Sequence, residues 1–273
     1  MIVLLKPAEL LYRGVNRIRR AMYRSGVLTP RRLPKPVISV GNIAIGGAGK
    51  TPAVIALCRF LEGRGGRVAV LTRGYGASGT GAVTELDADR FGDEPVLIKR
   101  STKSTTVIVG ANRYENASQV SCDVFVLDDA FQHLQLHRDL DIVIDAPARF
   151  FREGRSALGD ADIVVPRRLR LLVPDSVRGR KAFAFAGLAN NDQFFQSLRA
   201  EGVQLDGTRS FPDHHRYGSA DLAAVRDAAR NTDAIVTTEK DWVKIRAADI
   251  IAVPAEFIFD DDVLQRVAAV AGL

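Results

Sequence analysis

The sequence predicts an α/β protein: a mostly parallel sheet with helices on both faces, a smaller C-terminal α/β domain, and an amphipathic helix in front of both. Three observations predict it. Short apolar runs alternate with segments of helix length, as in parallel sheets covered by helices. A glycine-rich turn ending in Gly49-Lys50-Thr51 lies between the first apolar run and the helix after it. A strongly apolar run over residues 123–127 ends in the acidic pair Asp128-Asp129, where a buried parallel strand would deliver side chains to the ligand edge of a sheet.

The elements follow in order. Over residues 8–24, Ala8, Leu11, Val15, Ile18 and Met22 repeat in steps of three and four, which predicts a helix with one apolar stripe. Arg13, Arg17, Arg20 and Arg24 fall on its opposite face. Residues 29–36 hold three prolines and form a stiff connector. Strands are expected over residues 37–40, 67–72, 106–109, 123–127, 141–144 and 162–165, with helices over 52–62 and near 94–99. Residues 166–181 are expected to be a basic linker. Beyond it come a strand over 182–185, helices over 192–201 and 219–229, and a strand over 234–237. The expected domains are therefore residues 1–35, 36–166 and 167–273.

Of 273 residues, 47% are hydrophobic and 26% charged, which suits a folded chain with a full core. The net charge of +6 is unevenly placed. Residues 1–35 carry nine Lys/Arg against one acidic residue, and the remainder carries 29 basic against 31 acidic residues. Basic character confined to one segment, without interleaved aromatics beyond Tyr12 and Tyr23, argues against a nucleic-acid partner. No apolar run reaches the roughly 20 residues of a spanning helix. Cys58 and Cys122 sit in apolar runs and are expected to be core residues.

Chemistry concentrates in a few places. In Gly46-Gly47-Ala48-Gly49-Lys50-Thr51, glycines let backbone N–H groups converge on phosphate oxygens and the helix start adds its positive dipole end. Lys50 can reach the outer phosphates of ATP, and the Thr51 hydroxyl can ligate Mg²⁺. The sheet is thus expected to be P-loop NTPase-like, although Ala44 stands where the general motif has its first glycine. Asp128 and Asp129 are the expected metal carboxylates. Asp93 and Asp213 are candidate acceptor bases, and His133, His214 and His215 are candidate partners for them.

Taken together these motifs resemble the tetraacyldisaccharide 4′-kinase family over most of the chain. The marks are Val40-Gly41-Asn42-Ile43 before the P-loop, Thr72-Arg73-Gly74-Tyr75-Gly76, Gly92-Asp93-Glu94-Pro95, Asp128-Asp129-Ala130-Phe131-Gln132-His133, Phe211-Pro212-Asp213-His214-His215 and Thr238-Glu239-Lys240-Asp241. The resemblance implies transfer of the γ-phosphate of ATP, with Mg²⁺, to the 4′-hydroxyl of a tetraacylated glucosamine disaccharide 1-phosphate. It implies a peripheral protein on the anionic cytoplasmic face of the inner membrane, and a smaller C-terminal domain closing over the nucleotide. By motif position, Lys50 and Thr51 bind ATP and Mg²⁺, and Asp128 and Asp129 serve metal and phosphates. Asp93 is the acceptor base, oriented by His214 or His215. One departure concerns a Leu-Pro-Ala-Gly-Pro-Leu-Arg-Glu-like segment of the family. Residues 149–160 replace it here with a shorter stretch, which bears on acceptor choice. The other readings of the residues are a P-loop ATPase switch and a kinase for a different sugar or small-molecule acceptor.

Overall fold

All six residues of the first strand are buried, and the rest of the architecture is arranged around that strand. The structure is a computed structural model that describes residues 2–44, 46–148 and 150–273, with side chains from residue 13 onward. In chain order the first part comprises α1 (Ile2–Arg24), β1 (Val37–Asn42), α2 (Lys50–Gly63), β2 (Val68–Thr72), β3 (Gly81–Ala82), α3 (Ala88–Phe91), α4 (Asp93–Ser101), β4 (Thr106–Val109), α5 (Arg113–Ala117), β5 (Val124–Asp128), β6 (Leu140–Asp145) and β7 (Ile163–Pro166). The second part comprises β8 (Leu169–Leu171), β9 (Lys181–Ala186), α6 (Asn191–Ala200), β10 (Gln204–Ser210), α7 (Ser219–Ala228), β11 (Ala234–Thr238), α8 (Glu239–Ile245), β12 (Ile250–Val253), β13 (Ala255–Phe257) and α9 (Asp261–Ala271).

The first sheet has seven strands in the order β3-β4-β2-β5-β1-β6-β7, all parallel except the short β3. The strands are apolar because both faces are covered. On one face Ile38, Val40, Val70, Val126 and Ile142 pack against Val54, Leu57 and Leu61 of α2 and Val96 of α4. On the other, Val37, Leu71, Phe125 and Leu127 pack with Ala117 of α5. Each such aliphatic side chain, fully buried, contributes about 1.5–3 kcal/mol. Strand β1 lies between β5 and β6, with Val40 opposite Asp128, so the glycine loop after β1 and the acidic pair after β5 emerge side by side. The second sheet, β10-β9-β11-β12, is wholly parallel, and α6 and α7 supply side chains to its two faces.

Two expectations need correction. Residues 166–181 are not a plain linker, because β8 lies inside them and pairs antiparallel with β13. The division expected at residue 166 is also crossed: Phe257 and the Val263, Val267 and Ala271 face of α9 join the core of the first sheet. The chain therefore leaves that sheet, builds the second, and returns.

On the N-terminal helix the expected arginine face is divided: Arg17 is exposed, and Arg20 is turned to the protein. Arg20 and Asn16 are buried, while Val15 and Ile18 of the apolar stripe are exposed. The Arg20 guanidinium lies over the Phe131 ring and pairs with both oxygens of Glu153, with Asp160 and with the Phe131 carbonyl. Arg24 is exposed but also pairs with Asp160. Ala8 and Leu11 lie outside the described side chains.

Candidate active site

Helix α2 begins at Lys50 with Gly49 as its cap, in the left-handed conformation at φ 84°. A side chain at that φ is strained, and no side-chain oxygen caps the helix, so its first N–H groups are left for a ligand. Gly46, Gly47 and Ala48 complete the loop, tightened by the Ala48 N–H donating to the Gly46 carbonyl at 2.8 Å. Thr51 is buried at the first turn, under the loop. Lys50 Nζ lies 3.4 Å from the Asn42 side-chain oxygen and 3.4 Å from Asp129.

The two aspartates after β5 differ. Asp128 is the last residue of the strand and almost wholly buried. One carboxylate oxygen accepts from the Thr72 hydroxyl at 3.0 Å, and the other meets no hydrogen-bond partner among the described residues. Burial, then the charges of Glu94 and Asp129, push its carboxyl up to about 7. Asp129 turns out of the strand at φ 47° and is gripped by Arg152, which donates to both its oxygens at 3.0 and 2.8 Å. Burial alone would raise Asp129, but Lys50 and Arg152 outweigh it and hold the group below the ordinary carboxylate range.

These residues fit a Mg²⁺–nucleotide complex. Mg²⁺ in phosphate sites takes one or two protein oxygens and completes its shell with phosphate and water. The unpartnered Asp128 oxygen and the Thr51 hydroxyl supply such a pair. No cluster of three or more His, Cys, Asp or Glu that could hold a metal alone occurs among the described residues.

A second constellation stands on α4. Gly92, at φ 88° and ψ 156°, a conformation open essentially to glycine alone, caps the helix and sets Asp93 as its first residue. Asp93 is buried, and His214 Nδ1 lies 3.0 Å from its carboxylate. His214 reaches in from the second part of the chain, itself at φ 58°, with its ring 5.2 Å from that of Tyr75. Burial would raise Asp93, yet the His214 hydrogen bond, Lys240 and Lys244 together bring it below its ordinary value. His214 is raised, chiefly by Asp93. The charge of Glu94, next to Asp93, adds to the burial that raises Asp128.

The structure thus brings Lys50 to Asp129 at the loop, with Asp128 at the end of β5, and pairs Asp93 with His214. It turns His215 away: that ring stacks on Phe211 and its Nε2 lies 3.0 Å from Asp221, which in turn accepts from the Gly218 N–H. Asp213 accepts from the His214 N–H within its own turn. His133 stands apart among Arg113, Arg138, Arg19 and Arg73, and burial followed by those charges brings it down to about 4.

Arg152 and Glu153 were not foreseen. They sit in the shortened stretch, where no periodicity marks them, although they repeat the Arg-Glu that ends the family's longer segment. Glu153 is buried and accepts from Arg20 and, at 2.8 Å, from Gln132.

A phosphate-cradling loop on a parallel sheet, with a metal-ready carboxylate and a separate carboxylate–histidine pair, defines a P-loop phosphotransferase. The sequence profile of the Tetraacyldisaccharide-1-P 4'-kinase family matches residues 1–166 and 167–271. Curated proteins named tetraacyldisaccharide 4'-kinase are 36% identical in Pelobacter propionicus, over 90% of this chain and 83% of that protein, and 37% identical in Geobacter sulfurreducens, over 90% and 84%. The crystal structure of "apo" form LpxK from Aquifex aeolicus in complex with ATP superposes with a TM-score of 0.80 at 28% identity, covering 99% of both chains. The chain belongs to the tetraacyldisaccharide 4'-kinase family.

Proposed function

We propose that this chain carries out its family's reaction, the ATP-dependent phosphorylation of the 4′-hydroxyl of a tetraacylated glucosamine disaccharide 1-phosphate, with Asp93 as the acceptor base and His214 as its partner. The carrying observation is the 3.0 Å contact between His214 and a buried Asp93. The free N–H groups at the start of α2 and the Lys50 ammonium bind the outer phosphates. Thr51 and Asp128 would hold Mg²⁺, which supplies positive charge to the phosphates during transfer. Arg152 keeps Asp129 in place, and Asp129 keeps Lys50 beside the loop. Asp93 takes the proton of the acceptor hydroxyl as its oxygen bonds to the γ-phosphorus. The bond from that phosphorus to the bridging oxygen breaks, and ADP leaves. The second sheet brings His214 to Asp93, which suits a part that closes over the nucleotide.

A lipid with four acyl chains is scarcely free in water, so the enzyme must meet it at a surface. No helix among the described residues is long and apolar enough to cross a membrane. The exposed Val15 and Ile18 of α1 suit shallow contact with an anionic leaflet on the cytoplasmic side, helped by the exposed Arg17 and Arg32. Arg20 cannot share in this, because its charge is engaged by Glu153 and Asp160.

The test is transfer of label from γ-labelled ATP to a panel of glycolipid acceptors. Label on the 4′-position of the tetraacyl disaccharide 1-phosphate is the expected result. ATP turnover at the same rate without any lipid acceptor would overturn the reading in favour of a switch ATPase. Flotation with anionic liposomes tests the surface: Val15→Asp/Ile18→Asp should float several-fold less than the unchanged protein at low salt.

A further inference from the structure

The Asp93–His214 pair has a third member from another element. Lys240, on the first turn of α8, places its ammonium 3.3 Å from His214 Nε2, the ring nitrogen that does not face Asp93. The same ammonium lies 3.4 Å from Asp213, 3.5 Å from Glu94 and 4.0 Å from Asp93. Lys244, one turn further along α8, lies 3.9 Å from Asp93 and 2.8 Å from Asp241. The charged and titratable groups around the imidazole are therefore Asp93 and Glu94 on α4, Asp213 beside it, Lys240 and Lys244 on α8, and Tyr75 against its face.

We propose that Lys240 is a positioning residue for the acceptor-activating pair: its ammonium donates to Nε2 of His214 and so commits the ring's own proton to Nδ1, where it holds Asp93. This inference rests on the reading of Asp93 as the acceptor base.

The argument is one of donors and acceptors. A lysine ammonium carries three donors and no acceptor. Three surrounding carboxylates outweigh the effect of burial and keep Lys240 protonated, its pKa above the ordinary value. A protonated Nε2 would set N–H against N–H, so in the neutral ring Nε2 accepts and Nδ1 carries the hydrogen. That hydrogen points at the Asp93 carboxylate. The alternative tautomer, with hydrogen on Nε2, would turn a lone pair toward Asp93 and leave that carboxylate without its histidine donor. Lys240 also opposes a second proton on the ring. Asp93 raises the His214 pKa, and Lys240 works against it. An imidazolium would bind the Asp93 carboxylate as an ion pair and make it a poorer base toward a hydroxyl. Lys240 thus lets His214 orient Asp93 without overstabilising its charge. It is argued to act through His214 and Asp93, not on the transferred phosphate.

The chain has four histidines, so ¹⁵N-imidazole spectra of the whole protein are simple, and the His214 signal is assigned by its loss in His214→Gln. In the unchanged protein at alkaline pH, His214 should show a protonated Nδ1 and a bare Nε2. In Lys240→Met, the His214 titration and the acid limb of the kcat–pH profile should both move to higher pH by about one unit or more, as loss of a positive charge at this distance requires. KM for ATP should change little. Lys240→Arg, which keeps a cationic donor, should bring the limb back toward its original position. A bare Nδ1 in the unchanged protein would overturn the proposal without any variant. So would coincident acid limbs for Lys240→Met and the unchanged enzyme when Asp93→Asn is inactive. Near-normal turnover in Asp93→Asn would instead bring down the base assignment, and the positioning role with it.

Discussion

At the phosphate end of the site, Asp128 is buried with one oxygen on a threonine hydroxyl and the other without a partner among the described residues, and its carboxyl is pushed up to about 7. At the acceptor end, Asp93 is also buried, yet His214, Lys240 and Lys244 hold it below its ordinary value. The residue type is the same and so is the direction in which burial acts. What differs is who stands opposite. The first also has a cation, Lys50, but burial and the neighbouring carboxylates outweigh it, and under the proposed function a metal ion arriving with its nucleotide would complete it. The second carries its cations within the fold and needs none from outside. On the proposed reading, burial thus goes with a metal site at one aspartate and a base at the other.

The largest test of this contrast is at the acceptor end. Asp93→Asn should lower kcat by roughly 10²–10⁴-fold and leave KM for ATP nearly unchanged. Adding His214→Gln to it should cost far less than the product of the two single losses, since the two groups act as a unit. Lys50→Ala, at the phosphate end, should damage both parameters. Equal damage to ATP binding in Asp93→Asn would erase the division between the two ends.

Next in size is the support beneath the phosphate end. Arg20→Leu leaves Glu153 buried without its cation and should destabilise the fold by about 3–5 kcal/mol, read from denaturant unfolding. At temperatures where the variant stays folded, ATP affinity should fall through Arg152 and Asp129, while the acid limb of kcat stays where it was. A shifted limb with intact ATP affinity would reverse the assignment of the two ends.

The smallest effect is the most direct. Asp128 has a folded pKa above its unfolded value. It binds its proton more tightly when folded, so its ionisation costs stability as pH rises from about 4 to about 7. Asp128→Asn should therefore stabilise the metal-free protein at pH 8, by about 2–4 kcal/mol, and little at pH 4. Asp93 has a lowered folded pKa, so its stability is present above the unfolded pKa and lost as pH falls through the folded one. Asp93→Asn should lower Tm at pH 8. Melting curves of the two variants that move in the same direction at pH 8 would remove the basis of the comparison.

How far the sequence reached depends on the kind of signal. The loop and the acidic pair were legible because both lie at the ends of apolar runs, which fix strands and hence the sheet edge. Asp93 and His214 were legible as candidates. The choice between His214 and His215 needed the backbone, since adjacent residues in a turn point apart and only geometry says which way. Strand β10 went unread because it lies at the edge of its sheet with no buried residue, and Gln204-Leu205-Asp206-Gly207-Thr208-Arg209-Ser210 carries no apolar run. The stripe of α1 was legible; the burial of Arg20 on the opposite face was not. Periodicity says that one side of a helix is apolar; it does not say which side meets the protein. Here Glu153, in a loop without pattern, decides it by giving Arg20 a buried partner.

That same contact bears on how far residues 150–160 could be shortened. Arg20 holds Glu153, and the next residue back, Arg152, holds Asp129. A surface loop can be whittled down for as long as its residues support only themselves. In this chain Arg152 and Glu153 each hold something else, one the aspartate beside the glycine loop and the other the N-terminal helix, and their neighbours are engaged too: Phe151 bridges to Ala44 and packs with Ile43 and Phe131, and Asp160 pairs with Arg20 and Arg24. A deletion through this stretch would uncouple the N-terminal helix and the glycine loop in a single step.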